Sequence, residues 1–383
     1  MKIAGIICEY NPIHAGHLRH IEQTRRALGA DAAVVCVMSG SFVQRGEPAV
    51  FQKHVRAEAA VRGGADLVLE LPLPYALSSA EGFARGAVRL LDSLGVLDVL
   101  SFGSECGELA PLAEAAEAMQ SDLAAAHTKR ALGRGLAYAA ARQTAADAVL
   151  GARSGILRSP NNLLALQYLT ALREARSSIA PMTFLREPGV SSSQIRERAD
   201  YGALPASASA LFRRETDAGR GPVSVESLDA AMLSRLRMLD EAAFAAAPGA
   251  GEGLHDRVLR FARSEPSVRL VCEKSKTKRY VMSRIRRVVL SACLGLAAGD
   301  DDGAPPYVRV LAANGTGRAV LNRVKASSPL PILTKPAAAK RLTGAAAALF
   351  RKEASASDFY ALAFRAEADR AGGREWRIGP VIL

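Results

Sequence analysis

The stretch IAGIICEYNPIHAGHLRH, from Ile3 to His20, passes from an unbroken apolar run through a polar turn into a helical pattern. Ile3 to Cys8 is the short, continuously apolar kind of strand that a parallel sheet buries on both faces. Asn11-Pro12 breaks it, and from Ala15 the spacing of Leu18, Ile21, Ala27 and Leu28 suits a helix. His14, His17 and His20, three of the six histidines in the chain, cluster at that hand-over. The first two sit in the turn and the first helical turn, beside unpaired backbone N–H groups and the positive end of the helix dipole. That makes the segment a ready anion site.

His14-Ala15-Gly16-His17 reads H-x-G-H. Two imidazoles three residues apart share one helical face, and both can donate to phosphate oxygens as charge builds at a pentavalent phosphorus. Gly16 has no side chain to keep a phosphate or a nucleotide ring from the backbone. The expected chemistry is attack at the α-phosphate of ATP, with His14 and His17 as the catalytic residues. Three surface histidines gathered by chance on a polar helix would explain less of this context. A metal site is disfavoured, because the cluster lacks carboxylates or cysteines in a familiar ligand spacing.

The chain has 383 residues, 49% of them hydrophobic, enough for two domains with a substantial core. It has no run of about 20 apolar residues, so no membrane span is expected. No basic, apolar and cleavage-site pattern opens it, so no secretory signal is expected either. Cys8, Cys36, Cys106, Cys272 and Cys293 are odd in number and scattered, which suits free thiols in a reducing cytoplasm. A net charge of +12 favours a polyanionic partner. Nothing in the sequence implies an obligate protein partner.

Residues 1–200 alternate strand and helix. Strand-like runs are Ile3–Cys8, Ala33–Met38, Leu67–Leu71, Val96–Phe102 and Met182–Leu185, with helices at Ala15–Leu28, His54–Arg62, Ser78–Leu94 and Pro160–Arg176. The Ala-rich region Leu109–Gln143 reads as one long helical stretch. This order predicts an α/β fold with a doubly wound parallel sheet, whose ligands bind beyond the C-terminal strand ends. No G-x-G-x-x-G follows the first strand, which disfavours the dinucleotide-binding version. Beyond residue 200 the strand signal fades, apart from a candidate at Tyr307–Ala312, and residues 201–383 read as a second, mainly helical and basic domain.

Other segments suit the same chemistry. Ser192, Ser193 and Arg196 open a helix after the fifth strand, where hydroxyls, N–H groups and a guanidinium would hold the departing pyrophosphate. An ordinary capped helix with a surface arginine is the plainer alternative. Ser39, Gly40, Gln44 and Arg45, at the end of the second strand, form either a candidate substrate cleft or a plain surface loop, and Lys53 and Arg56 on the next helix could face the same cleft. Gly103 ends the fourth strand where a purine ring could approach, and Asn161 or Asn162 either reads a ribose or base edge or caps a helix.

Arg269 to Leu290 (RLVCEKSKTKRYVMSRIRRVVL) carries eight Lys or Arg against one acidic residue. Lys276, Lys278, Arg279, Arg284, Arg286 and Arg287 are candidate phosphate contacts, and Tyr280 among them a candidate platform for a stacked base.

Five segments together carry a resemblance: GIICEYNPIHAGH, MSGSFVQRGEPAVFQKHVRAEAAVRGGADLVLELPLPYA, LSFGSE, SPNN and SKTKRYVMSRIRR. They resemble the tRNA(Met) cytidine acetate ligase family, over most of the chain with gaps and most densely from residue 1 to about 105. H-x-G-H alone would indicate only the nucleotidyltransferase superfamily; the SGSFVQRGEP and GADLVLELP segments make the likeness specific. It implies a HUP-type nucleotidyltransferase sheet followed by a mainly helical tRNA-binding domain. The implied activity makes acetyl-adenylate from ATP and acetate, releases pyrophosphate, and acetylates N4 of the wobble cytidine of elongator tRNA(Met). It further implies nucleotide contacts along Ile7, Cys8, Glu9, Tyr10, Asn11, Pro12, Ile13, Ala15, Gly16, Leu18, Arg19 and His20, and at Gly103, Asn161 or Asn162, and Arg186. Mg²⁺ would accompany the triphosphate, although the sequence shows no dedicated carboxylate cage for it. One departure is the connection from Arg186 to Ser191, only Glu187-Pro188-Gly189-Val190, shorter than expected for the family. Two other functions fit the residues: transfer of AMP to a phosphorylated small molecule, and RNA binding by a catalytically silent relative.

Overall fold

The computed structural model describes residues 1–187, 189–201 and 204–383. Pro188, part of the short connection after Arg186, lies outside the described residues. Among the described residues ten strands form: β1 (Ile3–Cys8), β2 (Ala33–Ser39), β3 (Phe42–Val43), β4 (Glu47–Pro48), β5 (Leu67–Leu71), β6 (Val99–Ser104), β7 (Ala180–Leu185), β8 (Val308–Ala313), β9 (Ile332–Leu333) and β10 (Val381–Ile382). The main sheet has the order β10-β8-β5-β2-β1-β6-β7, with β9 also on β8, and β3 and β4 pair separately as a hairpin. Strands β5-β2-β1-β6-β7 are all parallel to their neighbours. The chain winds outward from β1 in one direction through β2 and β5, then in the other through β6 and β7. A ligand crevice therefore forms at the C-terminal ends of β1 and β6.

Alternation within strands supplies two cores. Val35 and Val37 join the apolar cluster on one face of the sheet, while Val34, Cys36 and Met38 join the cluster on the other. Helix α1 (Ala15–Leu28) buries Ile21 and Thr24, and helix α2 (Lys53–Arg62) is buried along most of its length. A third cluster holds the helical half together around Leu236, Phe244, Val258, Ile285 and Val289.

Two expectations need correction. The stretch 109–143 is not one helix: it breaks into Leu109–Ala118, Asp122–Gly133 and Tyr138–Leu150. Ser121 caps the second of these by accepting from the N–H of Ala124, and Gly135 turns the chain at φ +82°. Nor does the sheet end before residue 200. β8 pairs antiparallel with β5, and β9 and β10 pair with β8, so the chain returns to complete the sheet. β8 is the candidate strand read at Tyr307–Ala312, while β9 and β10 give no signal because each is only two residues long.

Buried charge seals that return. Lys53 and Glu70 from the first half meet Arg309, Glu353 and Glu375 from the second, each no more than about 5% exposed. Lys53 Nζ lies 2.5 Å from Glu70 Oε1, 2.8 Å from Glu375 Oε1 and 3.7 Å from Glu353 Oε1. Arg309 pairs with Glu375 and, at 3.4 Å, with Glu70. Lys53 and Ser39, expected at a substrate cleft, are thus interior residues. Gly40 is equally closed off, since a Cβ there would lie 2.3 Å from Glu70 Oε1.

Three carboxylates face two cations, so one carboxyl keeps its proton. Burial, followed by the neighbouring Glu70, pushes Glu353 up to about 8. Burial opposes ionisation of Glu375 as well, but Lys53 and Arg309 overcome it and hold that carboxyl far below its usual range. The folded protein therefore keeps a proton on Glu353 that the unfolded chain releases above about 4.5, so this residue lowers stability as pH rises from about 4.5 to about 8. Glu353→Gln imitates the protonated form. Its melting temperature relative to wild type should rise from pH 5 to pH 9, and a difference independent of pH would contradict the assignment.

Candidate active site

The site is built where β1 runs out. Its following loop is tied from behind by side chains distant in sequence. Arg56 on α2 is fully buried and donates to the carbonyls of Glu9, Phe51, Ser39 and Gly40, joining the ends of β1 and β2. The Gln44 N–H donates to Glu9 Oε1 at 2.6 Å, and the Val50 N–H to Asn11 Oδ1 at 2.7 Å. Ser192 Oγ donates to Pro12 O at 3.0 Å, and Arg196 Nη1 to Asn11 O at 2.6 Å.

On this platform the histidines cap their own helix. The Gly16 N–H donates to His14 Nδ1 at 3.1 Å, and the His14 N–H to His17 Nδ1 at 3.2 Å. The rings stack with centroids 3.7 Å apart. A Cβ on Gly16 would lie 3.0 Å from His14 Cε1, so the missing side chain makes room for the His14 ring. An imidazole that accepts at Nδ1 carries its proton on Nε2. Burial, then Arg186 and Arg19, brings His14 down to about 4; burial, then His14, holds His17 well below its usual value. Both rings are therefore neutral at pH 7 and present Nε2–H donors.

His20 is set differently. Thr24 Oγ1 donates to His20 O at 2.8 Å, so the Ser101 hydroxyl donates to Thr24 and accepts from His20 Nε2 at 2.9 Å. Burial holds this ring down to about 4, leaving Nδ1 as an acceptor.

These residues line a cavity of about 540 Å³ at the ends of β1, β6 and β7. That is the size of a small-molecule site. Ile7, Cys8, Glu9, Tyr10, Ala15, Gly16, Arg19, His20, Gly103, Asn161 and Arg186 all reach it with His14 and His17. A Cβ on Gly103 would meet nothing closer than Phe184 O at 4.0 Å, so the wall is open there. Phe102, Tyr168 and Phe184 add aromatic surface that the motifs did not reveal. Arg198, equally hidden in the sequence, lines the cavity, and neither it nor Arg186 has an ion pair among the described residues. Arg19 is paired with Glu187 at 3.2 Å. Neutral imidazole donors, a helix N-terminus and two unpaired guanidinia suit a polyphosphate, while the apolar wall suits a base.

Several expected contacts lie elsewhere. Asn11, Pro12, Ile13 and Leu18 sit behind the lining; the first three are buried. Asn162 accepts from the N–H groups of Glu105 and Cys106 and donates to Ile156 O, a latch rather than a ligand contact. Glu105 in turn caps the helix Pro160–Glu174, accepting from the N–H groups of Asn161 and Asn162 and from Asn161 Nδ2. Ser192, Ser193 and Arg196 do not line the cavity: Ser192 and Arg196 brace the Asn11-Pro12 turn, and Ser193 Oγ lies 3.5 Å from Arg196 Nη2. Gln44 holds Glu9 and donates from Nε2 to Ser78 O at 3.4 Å, Arg45 is exposed outside the cavity, and Arg56 is the buried clamp.

The basic segment is two helices, Val268–Ser275 and Met282–Leu294, joined by a loop. Tyr280 is 8% exposed and donates to Glu252 O, with Arg279 and Arg284 over its ring; it packs the helical core and cannot serve as a stacking platform. Arg279 and Arg284 pair with Glu252, and Arg286 with Glu47. Lys276 and Lys278 are not buried and have no acidic partner among the described residues. Half-buried Arg287 has none either, and burial, then Arg284, pushes it down to about 10. These three are the uncommitted cations of the segment.

Among the described residues the one convergent group of three potential metal ligands is Glu241, His255 and Asp256 in the helical half. Glu9, Glu187 and Asp200 line the cavity but form no convergent ligand group, and a magnesium ion accompanying a triphosphate would keep several of its waters.

Known proteins share this architecture. The profile of the HIGH Nucleotidyl Transferase family matches residues 1–375. The chain is 34% identical to the tRNA(Met) cytidine acetate ligase of Acetivibrio thermocellus over 100% of both chains. It is 37% identical to the protein of that name from Caldanaerobacter subterraneus, over 95% of this chain and 96% of the relative. The crystal structure of Thermotoga maritima TmcAL bound with alpha-thio ATP superposes with a TM-score of 0.94 at 31% identity, over 100% of both chains.

The tautomers can be checked directly. In imidazole NMR spectra at pH 7, His14 and His17 should appear as neutral Nε2–H forms, with the His14 transition near pH 4. Since a lowered imidazole pKa stabilises the fold only above the unfolded value, the histidine contribution to stability should disappear as pH falls from about 6.5 to about 4.

Proposed function

The chain belongs to the tRNA(Met) cytidine acetate ligase family of HIGH nucleotidyl transferases, and from that premise we propose that it joins acetate to a tRNA(Met) cytidine in two steps. It is an ATP-dependent ligase. The observation that carries the proposal is the pair of Nε2–H donors, His14 and His17, stacked at the N-terminus of α1 in a cavity at the sheet's switch point.

In the first step an acetate oxygen attacks the α-phosphorus of ATP, the bond from that phosphorus to the bridging oxygen breaks, and pyrophosphate leaves. His14 and His17 donate to the oxygens on which charge accumulates. As the rings are already neutral, they respond by donating hydrogen bonds and need not change charge. Arg186 and Arg198 take the β- and γ-phosphates, the role that the sequence assigned to Ser192, Ser193 and Arg196. Phe102, Tyr168 and Phe184 enclose the adenine near Gly103, and His20 Nδ1 accepts from a ribose hydroxyl. Magnesium, carried in with the triphosphate, supplies further neutralisation of phosphate charge.

In the second step N4 of the cytidine attacks the acetyl carbon of the mixed anhydride, AMP leaves with the electron pair of the broken C–O bond, and the amine gives up a proton. The residues at the site supply position more than base strength. The acceptor is the wobble cytidine of elongator tRNA(Met), splayed from its stack. Lys276, Lys278 and Arg287 hold backbone phosphates around it.

Incubation with ATP, labelled acetate and tRNA tests the reading. Pyrophosphate should appear with acetate alone, and label should appear in tRNA as N4-acetylcytidine; acetate-dependent pyrophosphate release with unlabelled tRNA would remove the second step. His17→Ala should lower acetate-dependent pyrophosphate release by about 10²–10³, the loss typical of one transition-state donor. The triple variant Lys276→Ala, Lys278→Ala and Arg287→Ala should weaken tRNA binding and reduce its salt slope by about 1 for each phosphate left without its cation. Adenylation of acetate should persist in that variant.

A further inference from the structure

A second cleft, of about 440 Å³, lies on the far side of the helix Ser192–Arg198 from the ATP cavity. Ile195 and Arg198 of that segment line the ATP cavity, whereas Arg196 and Ala199 line the second cleft. Its floor is apolar and buried, formed by Met232, Val268, Cys272 and Val289 of the helical half. Its opposite wall is the β3–β4 hairpin loop. Gly46 in that loop, at φ +76°, presses against the middle of the helix Met282–Leu294, where a Cβ would lie 2.5 Å from the Arg287 N. The cleft is thus a seam between the sheet and the basic segment.

The polar lining excludes some ligands. Glu47, Glu226 and Glu273 face Arg196, Arg269 and Arg286, so acid and base balance and a phosphate gains nothing by entering. The Glu47 carboxylate lies between two guanidinia: Oε1 pairs with Arg286, and Oε2 with Arg196 at 3.4 Å. A carboxylate has about four acceptor sites, so it can still accept another hydrogen bond. An acceptor flanked by donors, over an apolar floor and beside Tyr201, complements a flat, uncharged group that carries an amine next to a ring acceptor. Cytosine and adenine have such an edge.

We infer that this cleft receives one unpaired amine-bearing base of the substrate RNA, cytosine or adenine, distinct from the cytidine that is acetylated. The distinction follows from the wall: a base seated on Glu47 is separated from the acetyl group by the Ser192–Arg198 helix. Glu47 accepts from the exocyclic amine, Arg196 or Arg286 donates to the neighbouring ring acceptor, and Tyr201 covers a face. The site also reports to the ATP loop. Arg196 bonds Glu47 with one nitrogen and Asn11 O with the other, so seating a base bears directly on the turn that precedes H-x-G-H.

The inference rests on the tRNA reading above, and the test keeps the two apart. An anticodon stem-loop is made in versions that each lack one loop base, and binding is measured to wild type, Glu47→Gln and Tyr201→Leu, with thermal melts confirming that each variant is folded. At one loop position other than the acetylated cytidine, loss of the base should weaken wild-type binding about 5- to 100-fold. The same loss should leave binding by both variants unchanged from their own intact stem-loop values. Equal losses for wild type and variants at every position would overturn the inference for the cleft alone. Failure of wild type to bind or acetylate the intact stem-loop would instead count against the proposed function. The two variants alter opposite sides of the cleft, so one that melts early does not spoil the test.

Discussion

The buried guanidinium of Arg56 is the constraint on which the site depends. It meets no solvent, and its bonds go to main-chain carbonyls at the ends of two adjacent strands and at Phe51. Carbonyls at strand ends have no ladder partner, and a buried one left unpaired costs about 1–3 kcal/mol. One rigid fork satisfies them together and sets the angle at which the chain leaves β1. A lysine could supply the charge but not the planar fork. The turn through Asn11 and Pro12, the caps of α1 and the stacking of His14 on His17 all depend on that exit angle.

The second half of the chain contributes more than its basic segment. Its strand β8 lies directly on β5, and Arg309 and Glu375 neutralise Lys53 and Glu70 inside the fold. The QRGEP loop is pressed between the sheet and the basic helix, so Glu47 can hold Arg196 and Arg286 at once. ATP cavity and basic segment are therefore connected through two side chains.

Much of this was legible in the sequence because it is local. A strand, a turn and a helix contiguous over residues 3–28 make the H-x-G-H site, and a βαβα order makes the parallel sheet. The features that escaped depend on partners far along the chain. Lys53 resembles a cleft lysine until Glu375 is known to face it. Tyr280 resembles a stacking residue until Glu252 takes its hydroxyl. Arg196 and Arg198 are two residues apart on a short helix, and the sequence favoured Arg196; the helix points Arg198 into the ATP cavity and Arg196 away from it. Periodicity gives the faces of a helix but not which face meets the ligand.

The buried charge cluster also bears on how the protein is made. The five parallel strands that carry the ATP cavity are synthesised by residue 185, when Lys53 and Glu70 can pair only with each other. Glu375 follows at a ribosomal pace of about 5–20 residues per second, a wait on the order of ten seconds or more. During that interval the β5 edge of the sheet is bare and the Lys53–Glu70 pair lacks its cover, a state that a nascent-chain chaperone is suited to shield. A ribosome that stalls before Arg309 would release a chain carrying every residue of the H-x-G-H motif and lacking the edge strands that complete the sheet.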